Sequence, residues 1–359
     1  MSMFNKIAIV GLGLIGSSIF HASRRKQLGK ELAGYDIKRD VRDRAKALGF
    51  ADIIFDDLAS CVKGADLIIM CTPVGAFKSV AEHIVPNLAK GAILSDVGSV
   101  KGAIMRDVGP LVPADVNFIP GHPIAGTEFS GPDAGFETLF DGRWTILTPP
   151  KGANAKAVDK LKTFWEALGS QVDIMDANHH DLVLAITSHI PHLIAYNIVG
   201  TAYDLQTVTK GEVIKYSASG FRDFTRIAAS DPTMWRDIFL TNKEAVLEVL
   251  KHFDEDLRSL KRAVQSGDGK VLFKTFTRTR VIRREIVGIG QDTAKADFGR
   301  VETKVPRRAT KLQWKVGSIV TTAHSKKIIG KAKKRTSKKV NPLASKRQGR
   351  HTTTSSSKH

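Results

Sequence analysis

Short apolar runs alternate with amphipathic stretches over the first half of the chain. Runs of strand length fall at residues 6–10, 32–35, 67–71, 92–96, 117–119, 145–148 and 171–175. Helical periodicity lies between several of them, at residues 17–26, 74–88 and 153–168. Strands that are apolar throughout are typical of a parallel sheet covered by helices on both faces. The pattern therefore predicts a doubly wound α/β sheet over residues 1–176.

The second half has helical periodicity and lacks further strand patterns. Long helices are predicted at 179–205, at 231–266 with Pro232 in the first turn, and at 271–289. We therefore predict an all-helical second domain over residues 177–297. Its apolar faces are long enough to suggest pairing with a second subunit in a homodimer.

The composition changes again at residue 298. Residues 298–359 contain 18 Lys and Arg but a single acidic residue, Glu302, and so account for most of the net charge of +19. A segment with so little to bury is predicted to be a disordered basic tail. After Phe298 it has one aromatic residue, Trp314, and it has no nucleic-acid-binding motif, so weak, salt-sensitive binding to a polyanion is the most it suggests. An extension without chemical function, or an altered reading frame, is the better interpretation.

Bulk properties favour a cytoplasmic protein. No window approaches the ~18 uninterrupted apolar residues of a membrane span, and the first strand begins too early for a signal peptide. The two cysteines, Cys61 and Cys71, are too few for a disulfide framework and lack metal-site spacing. We expect no membrane association.

The first strand runs directly into a G-x-G-x-x-G motif formed by Gly11, Gly13 and Gly16. These glycines permit a tight turn, close approach of backbone N–H groups to a pyrophosphate, and close packing of the following helix. Asp36 ends the next strand 20 residues later, the spacing at which a carboxylate meets a ribose 2′-hydroxyl. The motif predicts a Rossmann-type dinucleotide site.

Cofactor choice follows from Asp36, because a carboxylate repels a 2′-phosphate and favours NAD over NADP. Lys38 and Arg39 follow closely and could soften that preference, so NADP remains a weaker alternative. The residues predicted to bind the cofactor are Gly11, Gly13, Leu14, Ile15, Gly16, Asp36, Thr72, Pro73 and Ser99.

Ligands of a doubly wound sheet lie beyond the carboxyl ends of its strands. Thr72 and Pro73, then Ser99 and Lys101, follow two such ends, and His122 lies in the glycine-rich loop after a third. A histidine there suits the removal of a hydroxyl proton during hydride transfer, so His122 is the predicted catalytic base. Ser99 could hold its imidazole or touch the cofactor. Lys101 is interpreted as a solvated surface charge.

A second histidine cluster lies in the helical half. His189 and His192 fall on one helical face beside Pro191, which should kink the helix. His179, His180 and Asp181 are near in sequence, but no metal-site spacing appears and no metal is predicted. His192 is interpreted as a substrate contact, with helix packing as the alternative.

One arginine, Arg226, lies among apolar residues after the segment that begins at Ser219. A guanidinium in such surroundings normally has a carboxylate partner. Asp223, three residues earlier, could form an internal pair with it. Alternatively, Arg226 grips the carboxylate of an anionic substrate.

Taken in order, the motifs G-L-G-L-I-G, D-V-G-S-V-K, G-H-P-I-A-G-T-E-x-S-G, S-H-I-P-H, G-F-R-D-F-T-R-I-A and D-P-x-M-W-R-D-I resemble those of the prephenate and arogenate dehydrogenases of tyrosine biosynthesis. The resemblance covers residues 5 to about 297. It implies that His122 hydrogen-bonds the ring hydroxyl of the substrate and that Arg226 binds a substrate carboxylate. It also implies that Trp235 reaches the site from the partner subunit. The remaining residues with an implied role at the substrate are Ser99, Thr127, Glu128, His192, Ser219 and Asp223.

The chemistry that this resemblance implies is an oxidative decarboxylation. Hydride leaves ring carbon 4 for NAD⁺, His122 takes the proton of the 4-hydroxyl, and the carboxylate on carbon 1 leaves as CO₂ while the ring becomes aromatic. The products are 4-hydroxyphenylpyruvate from prephenate or tyrosine from arogenate. The alternative function is another nucleotide-dependent dehydrogenase that carries a polyanion-binding tail.

Overall fold

The structure, a computed structural model, describes residues 2–127, 129–205 and 212–288. Its main sheet has six parallel strands in the order β3-β2-β1-β4-β5-β6. They are β1 Phe4–Val10, β2 Gly29–Tyr35, β3 Ile53–Ile54, β4 Leu67–Met70, β5 Ile93–Asp96 and β6 Asn117–Phe118. The doubly wound sheet is thus confirmed. The sequence pattern missed β3 because two residues show no periodicity.

A second, three-stranded sheet lies after the main one. It comprises β7 Gly121–Pro123, β8 Trp144–Leu147 and β9 Gln171–Ile174, with β7 antiparallel to β8 and β8 parallel to β9. Assigning residues 145–148 and 171–175 to the parallel sheet was therefore wrong. Assigning His122 to a loop was also wrong, because it lies on β7 opposite Ile146. A short apolar run does not specify which strand it pairs with.

Helices cover both faces of the main sheet and form the rest of the chain. They are α1 Leu14–Arg25, α2 Arg39–Leu48, α3 Leu58–Val62, α4 Phe77–Ile84, α5 Gly102–Asp107, α6 Ala155–Ala167, α7 Ala177–Leu184, α8 Ile190–Leu205, α9 Glu212–Lys215, α10 Ser219–Thr225, α11 Pro232–Thr241, α12 Lys243–Gln265 and α13 Gly269–Gly288. Apolar residues of the inner strands are fully buried on both faces of the sheet.

The helices α7 and α8 are joined by a π-helical turn, Ala185–His189. Pro191 lies two residues after the end of this turn, and its ring and missing N–H disrupt the helical ladder one turn earlier. The predicted kink therefore takes the form of a π-bulge. π-Bulges occur frequently at functional sites.

The run Ala177–Leu205 is, by length and composition alone, apolar enough to cross a membrane. Core helices of proteins that do not cross a membrane can have the same length and apolar composition. Here the run carries the buried residues His180, Asp181 and His189, and its apolar side chains pack against α12. Only part of the run is buried, and Ile186, Tyr203 and Leu205 are exposed in the single chain.

The single helix predicted for residues 231–266 is divided in two. Helix α11 ends at Thr241, Asn242 has non-helical backbone angles, and α12 begins at Lys243. The side chain of Asn242 is buried and donates to the carbonyl oxygen of Asp181 at 2.9 Å. This break and the packing of Trp235 against Val100 bring the helical half onto the carboxyl edge of the main sheet.

Candidate active site

The glycine turn has the geometry that a dinucleotide requires. Gly11 has a φ of +103°, and a Cβ there would lie 2.6 Å from the Cys71 carbonyl oxygen. A Cβ on Gly16 would collide with the carbonyl oxygen of Gly11, so α1 packs closely against the turn. By contrast, a Cβ on Gly13 would meet no protein atom within 4 Å. The open side of the turn therefore lies at Gly13, where a pyrophosphate would approach.

The first amides of α1 complete this cradle. The helix begins at Leu14, and Gly13 provides no side-chain cap. The first N–H groups of a helix lack intrahelical acceptors and attract anions. The backbone of Leu14, Ile15 and Gly16 therefore offers donors to a phosphate.

Asp36 is fixed beside the glycine turn. One carboxylate oxygen accepts from the Leu12 N–H at 2.9 Å, and the other accepts from the Lys38 N–H at 3.0 Å. Since both bonds come from backbone, the carboxylate keeps its position without a cationic side chain. The acid lies where the sequence motif requires it.

Two of the basic residues near Asp36, Arg39 and Arg42, are engaged with other groups, whereas Lys38 is exposed. Arg39 pairs with Asp43 at 3.6 Å, on the exposed side of α2. The guanidinium of Arg42 bonds the Asp36 carbonyl at 2.8 Å and the Asp56 carboxylate at 3.1 Å. These contacts favour a ribose 2′-hydroxyl over a 2′-phosphate at Asp36.

Polar residues follow the neighbouring strands at the same edge. Thr72 and Pro73 come directly after β4 and Cys71, and the Thr72 hydroxyl is buried without a hydrogen-bond partner among the described residues. Ser99, half-buried, follows β5. The unpartnered hydroxyl and the open space at Gly13 fit a bound dinucleotide that reaches from the glycine turn toward these loops.

His122 lies buried at this edge of the sheet. Only 8% of its surface is exposed. Burial, followed by the nearby His180, Lys101 and His189, lowers its pKa well below 6.5. The imidazole is therefore neutral at physiological pH and available as a proton acceptor.

The interpretation of Lys101 as a surface charge is wrong. Its side chain is fully buried, pairs with the equally buried carboxylate of Asp96, and donates to the Gly121 carbonyl oxygen at 2.6 Å. Burial raises the pKa of Asp96 and lowers that of Lys101, and their mutual attraction opposes both shifts. Asp96 also accepts from the Gly98 and Gly121 N–H groups. The pair thereby fixes the strand that carries His122.

Two further residues contact this assembly from the helical half. His122 Nδ1 lies 2.9 Å from His180 Nε2, and His180 Nδ1 lies 2.8 Å from Asp181 Oδ1. Sequence reasoning considered His180 and Asp181 only as a metal cluster. Their actual role requires the packing of α7 on α5, which no spacing along the chain shows. Among the described residues, no group of three or more His, Cys, Asp or Glu side chains could hold a metal ion.

The second histidine cluster packs around Trp235. His192 stacks on its indole, with ring centroids 3.6 Å apart, and His189 meets it edge-on. His189 is buried and lies 3.1 Å from the Asn242 amide nitrogen, and burial lowers its pKa to about 4. Within the single chain Trp235 is thus buried against His192, and its expected contribution to the partner's site stays a prediction. Its indole N–H is buried without a partner among the described residues.

Arg226 lies near this cluster, at the start of a 3₁₀ turn, Arg226–Ala229. It is exposed, and its charge helps to lower the pKa of His192, after the larger effect of burial. Its expected alternative partner, Asp223, pairs with Arg222 instead at 3.3 Å. Within the described ranges, Arg226 forms no ion pair and therefore remains available to an anion.

The remaining predicted substrate residues are not brought together with His122. Ser219 and Asp223 lie exposed on α10, and the exposed Thr127 accepts a hydrogen bond from the Phe129 N–H. Glu128 lies outside the described residues. No contact among the described residues joins Thr127, Ser219 or Asp223 to His122.

A dinucleotide cradle that opens toward a buried neutral base is the arrangement of a nicotinamide-dependent dehydrogenase, and this chain falls in that class. Residues 20–174 match the family described as prephenate dehydrogenase, nucleotide-binding domain, and residues 176–278 match its dimerization domain. The chain belongs to the prephenate dehydrogenase family.

Individual relatives agree with this assignment. The chain is 42% identical to a cyclohexadienyl dehydrogenase of Zymomonas mobilis over 79% of its own length and 96% of the relative. It is 34% identical to a prephenate dehydrogenase of Bacillus subtilis over 76% and 74% of the two chains. Among solved structures, the prephenate dehydrogenase of Aquifex aeolicus with hydroxyphenyl propionate and NAD⁺ is 34% identical, with a TM-score of 0.73 over 79% of this chain and 98% of that one. The predicted fold class, family and NAD dependence are confirmed.

Proposed function

We propose that the protein catalyses the NAD⁺-dependent oxidative decarboxylation of prephenate, arogenate or both, in tyrosine biosynthesis. The observation that carries this proposal is the neutral, buried His122, held at the edge of the sheet where the dinucleotide cradle opens. An acceptor for a hydroxyl proton at that position suits the oxidation of a ring alcohol. The names of the relatives support the same reaction.

His122 is the proposed catalytic residue. When bound, NAD⁺ supplies the acceptor for the hydride that leaves ring carbon 4. His122 accepts the proton of the 4-hydroxyl as carbon 4 becomes trigonal. The bond between carbon 1 and its carboxylate then breaks, its electron pair enters the ring, and the proton on His122 can return to the ring oxygen. Aromatisation makes the overall step effectively irreversible.

Arg226 is proposed to bind a substrate carboxylate, because its guanidinium is exposed and unpaired among the described residues. A guanidinium can hold a carboxylate through two parallel hydrogen bonds. His192 and Trp235 are proposed to line the same side of the substrate, and the unpartnered indole N–H of Trp235 is an available donor. Orienting a dianionic substrate contributes more here than any covalent chemistry.

The other predicted roles are retained as proposals. Ser99, which follows β5 at the same edge of the sheet, is proposed to contact both the cofactor and the substrate. At the mouth of the site the proposed residues are Thr127, Glu128, Ser219 and Asp223. The cofactor-binding set is unchanged from that given by the sequence.

Steady-state kinetics with prephenate and arogenate, each with NAD⁺ and NADP⁺, test the proposal. We expect turnover of at least one substrate and a higher kcat/KM with NAD⁺, because Asp36 repels a 2′-phosphate. The absence of turnover in every combination would refute the proposed function. Product analysis for CO₂ and a phenol separates oxidative decarboxylation from simple alcohol oxidation.

A homodimer formed through the helical half is also proposed. Large apolar side chains lie exposed on α11, α12 and α13 in the single chain, namely Leu240, Leu247, Leu257, Phe273 and Phe276. Exposed apolar surface of this extent marks an interaction surface. Sedimentation equilibrium at micromolar concentration should give twice the monomer mass, and a monomer would contradict the proposal.

We also propose the domain division at residue 176 and a cytoplasmic location. The last strand, β9, ends at Ile174, and from α7, which begins at Ala177, the described elements are helical; this supports that boundary. The basic tail, residues 298–359, lies outside the described residues, and its polyanion binding stays a prediction. Deleting residues 300–359 and assaying turnover together with nucleic-acid binding would separate the two activities.

A further inference from the structure

We propose that His180 is a positioning residue that fixes the tautomer of His122, so that the lone pair of His122 is on Nε2 and faces the substrate. The proposal rests on the proposed function of His122 as the base. It follows from a chain of hydrogen bonds that begins at Asp181 and ends at His122.

Asp181 is the fixed end of this chain. Its Oδ1 accepts from the Lys101 N–H at 2.8 Å and contacts His180 Nδ1 at 2.8 Å, and its Oδ2 accepts from the Gly102 N–H at 2.8 Å. The two amides belong to the start of α5. An ionised carboxylate is acceptor-only, so His180 must place its proton on Nδ1.

The tautomer of His180 then dictates that of His122. A neutral imidazole with a proton on Nδ1 has its lone pair on Nε2. His180 Nε2 lies 2.9 Å from His122 Nδ1, and two lone pairs at that distance would repel each other. His122 Nδ1 must therefore carry the proton and donate a hydrogen bond to His180 Nε2. This leaves the lone pair of His122 on Nε2, which is then the acceptor.

Both rings must be neutral for this chain to hold, and their surroundings favour that state. Burial lowers the pKa of His180 as well as that of His122, and the Lys101 charge acts in the same direction on both. The Asp181 carboxylate opposes the shift at His180 without contacting His122. A histidine whose other nitrogen is held by such a partner is fixed in both ring orientation and proton position.

The test compares two variants that differ in the acceptor offered to His122. His180→Gln can direct its amide oxygen to His122 Nδ1 and its NH₂ group to Asp181, whereas His180→Leu removes the acceptor. We expect His180→Leu to lower kcat by about 100-fold or more with little change in KM, in line with the loss of a positioning partner. We expect His180→Gln to retain kcat at least about tenfold above that of His180→Leu, because it restores the acceptor.

A matched control addresses the loss of a histidine as such. His21 lies on α1, is partly buried against Phe50 and has no proposed role at the site, so His21→Leu should leave kcat unchanged. Equal kcat values for His180→Leu and wild type, or equal losses in both His180 variants, would overturn the proposal.

The second readout does not depend on activity. In ¹⁵N-histidine-labelled protein, the resonances missing from His122→Asn identify His122, and their shifts report which nitrogen is protonated. Wild type and His180→Gln should show a proton on Nδ1. A proton on Nε2 in wild type would refute the positioning role even if His180→Leu failed to fold. If neither prephenate nor arogenate were turned over, the proposed function would fail while this result remained interpretable.

Discussion

Replacing Lys101 by Met should strongly destabilise the nucleotide-binding half, although nothing in the sequence distinguishes this lysine from an exposed one. The side chains of Lys101 and Asp96 are both completely buried. Removing one partner of a buried ion pair leaves an uncompensated charge in a low-dielectric interior. Such changes cost about 3–5 kcal/mol.

The surroundings of Asp96 decide where in that range the cost falls. The carboxylate keeps two N–H donors, from Gly98 at 2.7 Å and Gly121 at 3.2 Å. The Gly121 carbonyl, however, loses the ammonium that it contacts at 2.6 Å. We expect a loss of about 3 kcal/mol, which at roughly 2–4 °C per kcal/mol for a domain of this size lowers Tm by about 6–12 °C.

The loss should also depend on pH. Burial already raises the pKa of Asp96, and removing Lys101 removes the charge that opposes this shift. A carboxyl whose folded pKa is raised destabilises the fold above that pKa, and the penalty disappears as it becomes protonated. The Tm difference between variant and wild type should therefore shrink as pH falls from 7.5 toward the folded pKa of Asp96.

Differential scanning calorimetry at pH 7.5 and 5.5 measures both effects. Lys90→Met is the matched control, because Lys90 is exposed and its pairing with Asp115 at 3.8 Å should contribute little. The double variant Lys101→Met with Asp96→Asn should recover part of the loss, since it removes the unpaired charge. A Tm within about 2 °C of wild type for Lys101→Met at pH 7.5 would refute the reasoning.

Other changes test the site. His122→Asn should lower kcat by about 10²–10⁴ and leave KM nearly unchanged in steady-state assays; unchanged turnover would exclude it as the base. His122 must be neutral to act, and its pKa lies well below 6.5. The acidic inflection of the profile of kcat against pH should therefore lie below pH 6.5. An inflection above pH 6.5 would contradict burial as the cause of the lowered pKa. Arg226→Ala should raise KM more than tenfold without changing Tm; a large loss of Tm would instead indicate a structural role. Gly13→Ala should preserve the Tm of the free protein but weaken NAD⁺ binding in calorimetric titrations, because its Cβ enters the open side of the turn; unchanged affinity would locate the pyrophosphate elsewhere.

The sequence by itself determined the features that depend on local spacing. Apolar runs located the inner strands, because a strand buried on both faces has no polar positions. The three glycines and Asp36 located the cradle, since the positive φ of Gly11 and the close approach of Gly16 to the Gly11 carbonyl belong to the turn itself. Motifs around His122 and Arg226 indicated the family.

Only the tertiary structure decided what depends on packing between distant segments. Lys101 looks like any lysine after a strand end, and its burial results from the way that Asp96 and β7 enclose it. His180 and Asp181 contact His122 only because α7 packs on the start of α5. Trp235 stacks on His192 only because α11 returns to α8. Burial and long-range contacts are properties of the whole fold, and they cannot be read from the spacing of residues along the chain.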